Sequence, residues 1–303
     1  MSLLVTGSIG IDTVETPSGM AKDALGGSSI YFAYAASFFT PVRLVGVVGE
    51  DCPADFLEPM RRNSRIDMAG LEVRPGSKTF RWHGRYHADV NMRDTVAVEL
   101  NVLSERGPDI PQNFRDSKFV FLANTHPALQ EQLLSQLTRP ELVVADTMDL
   151  YINNERAALG ALLGKLDGLV INDSEARLLT GRSNVVAAGL EIASQVRRFV
   201  VIKKGEHGCL LFCGQKVCAM PSYPTFNVID PTGAGDSFAG AMMGYIAASG
   251  SFNHDTLRRA IAYGTVTASI GLEGFSLTRF ISSSRGEIDT RFAEFQDLVR
   301  FWS

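Results

Sequence analysis

The sequence predicts an α/β fold: a three-layer α/β/α sandwich on a mostly parallel sheet, with a small antiparallel β lid. Three observations carry that prediction. Short, continuous apolar runs alternate with amphipathic stretches through the C-terminal two-thirds, as in a parallel sheet covered on both faces. Residues 71–100 break that rhythm and hold segments in which polar and apolar residues alternate. A glycine-rich turn, Asp230-Pro231-Thr232-Gly233-Ala234-Gly235-Asp236-Ser237, stands between an extended segment and a helical pattern.

The apolar runs are 119–124, 142–147, 168–172 and 199–204, with helical patterns at about 128–138, 153–165 and 174–197. Runs 3–8 and 43–48 add two buried strands. The N-terminus, Met-Ser-Leu-Leu-Val-Thr-Gly, lacks a basic leader and a cleavage site and reads as the first core strand. No apolar run approaches the roughly 18 residues that span a bilayer. A soluble, cytoplasmic protein with no membrane partner is expected.

In 79–86, Phe80, Trp82 and Tyr86 share one face, and Arg81, His83 and Arg85 the other. Residues 95–100 alternate too. A strand with one polar face does not belong inside a parallel sheet. These strands read as a small sheet projecting over the body, a lid above an active site. The turn-rich segment 13–25 is expected to join it. The chain, 1–303, is thus expected to be one domain with lid segments at about 13–25 and 71–100.

Composition narrows the function. The chain has 303 residues, 45% hydrophobic and 20% charged, which is ordinary for a globular protein with a sizeable core. Its net charge is −4 and no basic cluster exceeds a pair, which argues against nucleic-acid binding by a broad basic surface. Cys52, Cys209, Cys213 and Cys218 lack zinc spacing. With Cys209 and Cys213 in an apolar strand-like run, they are expected to be buried free thiols.

The glycine-rich turn has the physics of an anion hole. Gly233 and Gly235 permit backbone angles closed to other residues and let a ligand approach the main chain. The helix, expected from about Asp236, aims unpaired amides and its dipole at that ligand. A carboxylate there makes sense if it faces an attacking hydroxyl while the amides hold a transferring phosphoryl group. The plainer reading makes Asp236 or Ser237 a helix cap on a tight turn.

The run from Asp230 to Phe238 resembles the C-terminal signature of the ribokinase-like (PfkB-type) carbohydrate kinases, Asp-Thr-Thr-Gly-Ala-Gly-Asp-Ser-Phe; only Pro231 differs. Gly26-Gly27, a small-residue helix and then Val-Arg-Leu-Val-Gly-Val-Val-Gly-Glu-Asp at 42–51 resemble the N-terminal signature. Gly7-Ser8 with Asp12 resembles the first strand, Asn172-Asp-Ser-Glu175 the Asn-x-x-Glu motif, and Val-Ile-Lys-Lys-Gly-Glu-His-Gly at 201–208 the nucleotide strand and turn. The matches follow the family's order over nearly the whole chain.

The resemblance implies an ATP-dependent kinase that phosphorylates a hydroxymethyl group of a sugar or nucleoside. Asp236 would be the base, and the amides around Gly233, Ala234 and Gly235 would stabilise the developing charge. Asn172, Glu175, Lys203, Gly205, Gly208 and Thr232 would hold the nucleotide. Mg2+ would bind through waters oriented by Glu175. Asp12, Gly26, Gly27, Tyr31 and Asn124 would line the acceptor. Each motif has a plainer reading: Asn172 and Glu175 as a capping box, Gly26-Gly27 as a turn, Asp12 as a loop cap.

Some positions depart from the pattern. A ribokinase proper carries Asn at the position of Tyr31, which argues against ribose. Lys203 stands where many members have Thr. The 271–278 stretch matches the monovalent-cation loop poorly, so a K+ site near Asp230 and Thr232 stays open. Tyr31, Phe32, Trp82 and Tyr86 suggest an acceptor with a flat group such as a nucleobase, and the marginal lid sheet suggests a homodimer joined through paired lids. A non-catalytic regulator on the kinase fold is the alternative, against which the intact Asp236 turn argues. A nicotinamide dehydrogenase lacks its full glycine fingerprint, a Walker-type NTPase lacks its motif, and His83 and His87 lack a matching acid for a metal.

Overall fold

The computed structural model describes residues 2–300. The chain opens with β1 (Leu3–Thr6), then runs through β2 (Gly10–Thr16) and β3 (Gly19–Gly26) before helix α1 (Ser28–Ser37). Strand β4 (Val42–Gly49), the single turn α2 (Glu58–Arg61) and β5 (Ile66–Arg74) follow, then β6 (Phe80–Tyr86) and β7 (Arg93–Glu99). The second half alternates: β8 (Phe119–Leu122), α3 (Pro127–Ser135), β9 (Leu142–Ala145), α4 (Asp149–Asn154), α5 (Arg156–Leu163), β10 (Gly168–Asn172), α6 (Asp173–Thr180), α7 (Val185–Ala193) and β11 (Phe199–Lys203). It ends with β12 (Cys209–Cys213), β13 (Lys216–Met220), α8 (Ala234–Ser249), α9 (His254–Gly271), α10 (Thr278–Ser282) and α11 (Arg285–Leu298).

The main sheet has nine strands in the order β13-β12-β11-β10-β9-β8-β1-β4-β5. From β11 to β5 every ladder is parallel; β12 and β13 close one edge antiparallel. The central strands are buried throughout, and all but Thr6 of their residues are apolar, because both faces are covered. One face packs on α1, α8 and α9, with Phe32, Phe121, Met242 and Ile261 fully buried. The other packs on α3, α5, α6 and α7 through residues such as Leu133, Leu162, Ile171 and Ile192. In such a sheet ligands gather beyond the carboxyl ends of the strands.

A second sheet of four strands, β3-β2-β6-β7, forms the lid. Its two outer ladders are antiparallel, but β2 and β6 pair parallel at its centre. The expected polar face is built: Arg85 and His83 bond Glu15, and Arg81 reaches Asp51 and Asp23.

Several expectations shift. Residues 71–74 belong to β5 at the edge of the main sheet, not to the lid. The pattern 153–165 is two helices, and 174–197 is two as well. There Gly181 adopts the left-handed conformation that ends α6 (φ 71°), and the Asn184 side chain caps α7. Helix α8 begins two residues before Asp236. Phe32 stacks on Phe121 inside the core, 4.4 Å between centroids, so it is not a ring for an acceptor. Cys209 is buried as a free thiol that burial pushes up to about 12, while Cys52, Cys213 and Cys218 are half-buried. Among the described residues no helix is long and apolar enough to cross a membrane.

Candidate active site

The carboxyl ends of β9, β10 and β11 and the start of α8 meet beneath the lid. Gly233, the residue before α8, adopts φ 75°, which an L side chain rarely tolerates. A Cβ there would sit 2.3 Å from the Tyr31 ring, so the turn is also closed by contact. No side chain caps α8; the Ala234 amide donates to the Pro231 carbonyl at 3.2 Å, which leaves the Gly233 and Gly235 amides available to an anion among the described residues. At Gly235 a Cβ would lie 2.6 Å from Lys203 Nζ, so the ammonium rests against the turn itself.

Asp236 is in the first turn of α8 and half-buried. Loss of solvent pushes its carboxyl up to about 6, against the opposing pull of Lys203, Arg93 and its own backbone amide. A base with that value is mostly ionised at neutral pH and still takes a proton readily. Asp12 lies on β2 with its carboxyl over Gly26, where a Cβ would come within 1.9 Å of Oδ2. Burial, then the charges of Asp230 and Asp236, push Asp12 up to about 7. Its Oδ1 is buried without a partner, an acceptor waiting for a donor. Gly27 takes φ 101° against the Ser8 carbonyl and opens α1, which places Tyr31 above Gly233.

Asn172 and Glu175 do form the capping box of α6: Asn172 Oδ1 accepts the Glu175 amide at 2.8 Å, and Glu175 Oε2 accepts the Asn172 amide at 2.8 Å. The plainer reading is therefore built into the structure. It occupies one Glu175 oxygen and leaves the other. Asn172 pairs in register with Lys203 across β10 and β11, which brings the motif to the same cluster. Burial raises the Glu175 carboxyl, with Lys203 opposing.

Asp230 is buried, and its Oδ1 accepts the Thr232 amide at 2.8 Å. Thr232 donates its hydroxyl to Tyr86 of the lid at 3.3 Å. Gly205, φ 53°, faces Asn91 of the lid hairpin, whose amide donates to Glu206 at 3.2 Å. Asn124 follows β8; its side chain donates to Met148 Sδ and its Oδ1 has no partner. Gly208 stands apart from the carboxylates. At φ 77° it serves the turn into β12, where a Cβ would strike the Met220 carbonyl.

Asp146 was not anticipated. It follows β9, is buried, and its Oδ1 has no partner. Burial and the charge of Asp236 push it well above the carboxylate range. Lys203 and a backbone amide oppose the push on each carboxyl; Arg93 adds to that opposition at Asp236, whereas Asp146 also faces the Glu175 charge. Its signal was the acid inside the apolar run 142–147, at a strand end. In the sequence Tyr86 stands out only as an aromatic of the alternating strand, and Arg93 fits no pattern.

The unpartnered oxygens of Asp12 and Asp146, the uncapped helix start and the close ammonium fit a phosphate group and its counter-cation. Glu175 and Asp146 would be the residues to hold Mg2+ through waters. Asp230 is already engaged by the backbone amides of Thr232 and Ser276.

A cytidine kinase from Thermococcus kodakarensis is 30% identical over 250 residues, 80% of this chain and 87% of that protein. A nucleoside kinase from Burkholderia thailandensis, solved with inosine, superposes with a TM-score of 0.79 at 22% identity, covering 99% of this chain and 100% of the other. A Methanocaldococcus jannaschii nucleoside kinase of the ribokinase family gives 0.77 at 18% identity, over 97% and 98%. Residues 12–281 match the family described as pfkB family carbohydrate kinase, and this chain belongs to that family.

Proposed function

We propose that this protein transfers the γ-phosphoryl group of ATP to the 5′-hydroxymethyl group of a nucleoside. The observation that carries the kinase chemistry is Asp236, a carboxylate raised to about 6 inside an uncapped glycine turn that Lys203 touches. Asp12 holds the acceptor's sugar hydroxyls through its unpartnered oxygen and so orients the hydroxymethyl group. Asp236 takes the proton of that hydroxyl. The oxygen forms its bond to the γ-phosphorus as the bond to the β-phosphate oxygen breaks, and ADP leaves with that electron pair. The amides of Gly233 and Gly235 and the Lys203 ammonium stabilise the charge that spreads over the phosphoryl oxygens. Glu175 and Asp146 would hold Mg2+ through waters, and the ion would supply neutralisation of the phosphate charge.

The nucleoside reading is supported by the cytidine kinase relative and by the rings at the acceptor end. Tyr31 lies on Gly233, Tyr86 bonds Thr232, and Trp82 is half-buried on the same lid face. A panel of nucleosides and sugars, read by ADP release, tests it. The expected result is highest kcat/KM for a nucleoside; a simple hexose preferred over every nucleoside would reject it.

A further inference from the structure

We infer that Arg93, carried on the lid, is a further catalytic residue: its guanidinium binds the transferring phosphoryl group once the lid is down. The inference rests on the phosphoryl-transfer reading of the α8 turn, not on the identity of the acceptor. Register places Arg93 directly opposite Tyr86, so both project from the same face of the lid. Tyr86 engages the Arg93 side chain and accepts the Thr232 hydroxyl, and Thr232 directly precedes Gly233. The guanidinium is thereby tied to the rim of the anion turn.

Its orientation is also fixed from the other side. Arg93 lies over the Trp82 ring, 5.6 Å to the centroid. Trp82 is itself held by its Nε1–H to Thr95 Oγ1 at 3.3 Å and by contact with Gly84, where a Cβ would fall 2.0 Å from the ring. The hairpin before β7 is latched to the nucleotide-side loop through Asn91 and Glu206.

Charge separates Arg93 from its neighbours. Arg81, Arg85 and His87 on this sheet each reach a carboxylate, namely Asp51, Glu15 and Asp94. Among the described residues Arg93 forms no such pair. Its field instead reaches into the cleft, where it lowers Asp236 and Glu175 against the upward push of burial. An unneutralised planar fork at a phosphate site suits the equatorial oxygens of a transferring phosphoryl group. Lys203 approaches that group from the sheet, and Arg93 from the lid. A cation delivered by the lid completes the site only on closure, which links exclusion of water to chemistry.

The test uses full-length Arg93→Gln and Arg93→Lys with ATP and the best acceptor of the wild type. For Arg93→Gln we expect an unchanged melting temperature, kcat lower by about 10²–10³ and little change in acceptor KM. We also expect weaker binding of ADP with aluminium fluoride, a mimic of the transferring group, while ADP alone binds as before. Millimolar guanidinium should restore part of the lost turnover in Arg93→Gln. Arg93→Gln retaining kcat within about fivefold of wild type, or binding the mimic as wild type does, overturns the inference. Because any accepted sugar or nucleoside serves, either result leaves the nucleoside proposal standing.

Discussion

Asp236 separates a capping residue from a base. Asparagine caps as well as aspartate, so a capping role predicts that Asp236→Asn is nearly harmless. A base role predicts a folded variant with turnover lower by about 10²–10⁴ and ATP affinity little changed. Turnover above about a tenth of wild type would contradict the lower end of that range. The pH profile is a second readout. Asp236 works ionised and its carboxyl is raised, so kcat/KM should rise with pH through about 6. Lys203 holds that value down, as does Arg93, while Asp12, Asp146 and Tyr31 also feel the Asp236 charge. Lys203→Met should therefore move the acid limb to higher pH, while an unmoved limb would detach Lys203 from Asp236. Asp12 gives a linkage prediction. Its folded value, about 7, lies above its ordinary 3.8, so ionisation costs stability as pH rises between them. The melting temperature of Asp12→Asn relative to wild type should thus increase from pH 4 to pH 7.

At the level of elements, the two readings of Asn172-Asp-Ser-Glu175 prove compatible, and each has its own assay. Asn172→Ala removes the cap of α6 and should cost about 1 kcal/mol of stability. If the motif also serves the nucleotide, Asn172→Asp, which keeps a capping oxygen, should keep stability yet weaken ATP binding by adding a negative charge. Equal melting and equal ATP affinity in Asn172→Asp would confine the motif to capping. The elements most legible in the sequence were those whose side-chain period decides one structure: the apolar runs of β8 to β11 and the alternation in β6. Helix breaks were less legible because Gly181 acts by a backbone angle inside an otherwise continuous helical pattern. The site was legible where a motif is contiguous, as at 230–237. Asp146 and Arg93 depend on β9 and the lid converging on α8, a contact between segments that no local spacing encodes.

The lid sets the last prediction for the molecule as a whole. Strand β7 is an edge, and every residue from Arg93 to Glu99 is exposed. Val96 and Val98 keep 46% and 52% of their surface, and the strand leads into Leu100. The opposite edge, β3, carries exposed Met20. A four-stranded sheet with an exposed apolar edge strand invites pairing. We therefore expect a homodimer in which the lids of two chains cover one another. Light scattering at micromolar protein should give twice the 32.9 kDa of one chain. Val98→Lys, placed beside Trp82 by the β6–β7 register, should shift the mass to that of a monomer without unfolding the body. The body has its own core on both faces of the nine-stranded sheet, so its melting should change little. A wild-type protein that scatters as 32.9 kDa at these concentrations would rule the lid dimer out.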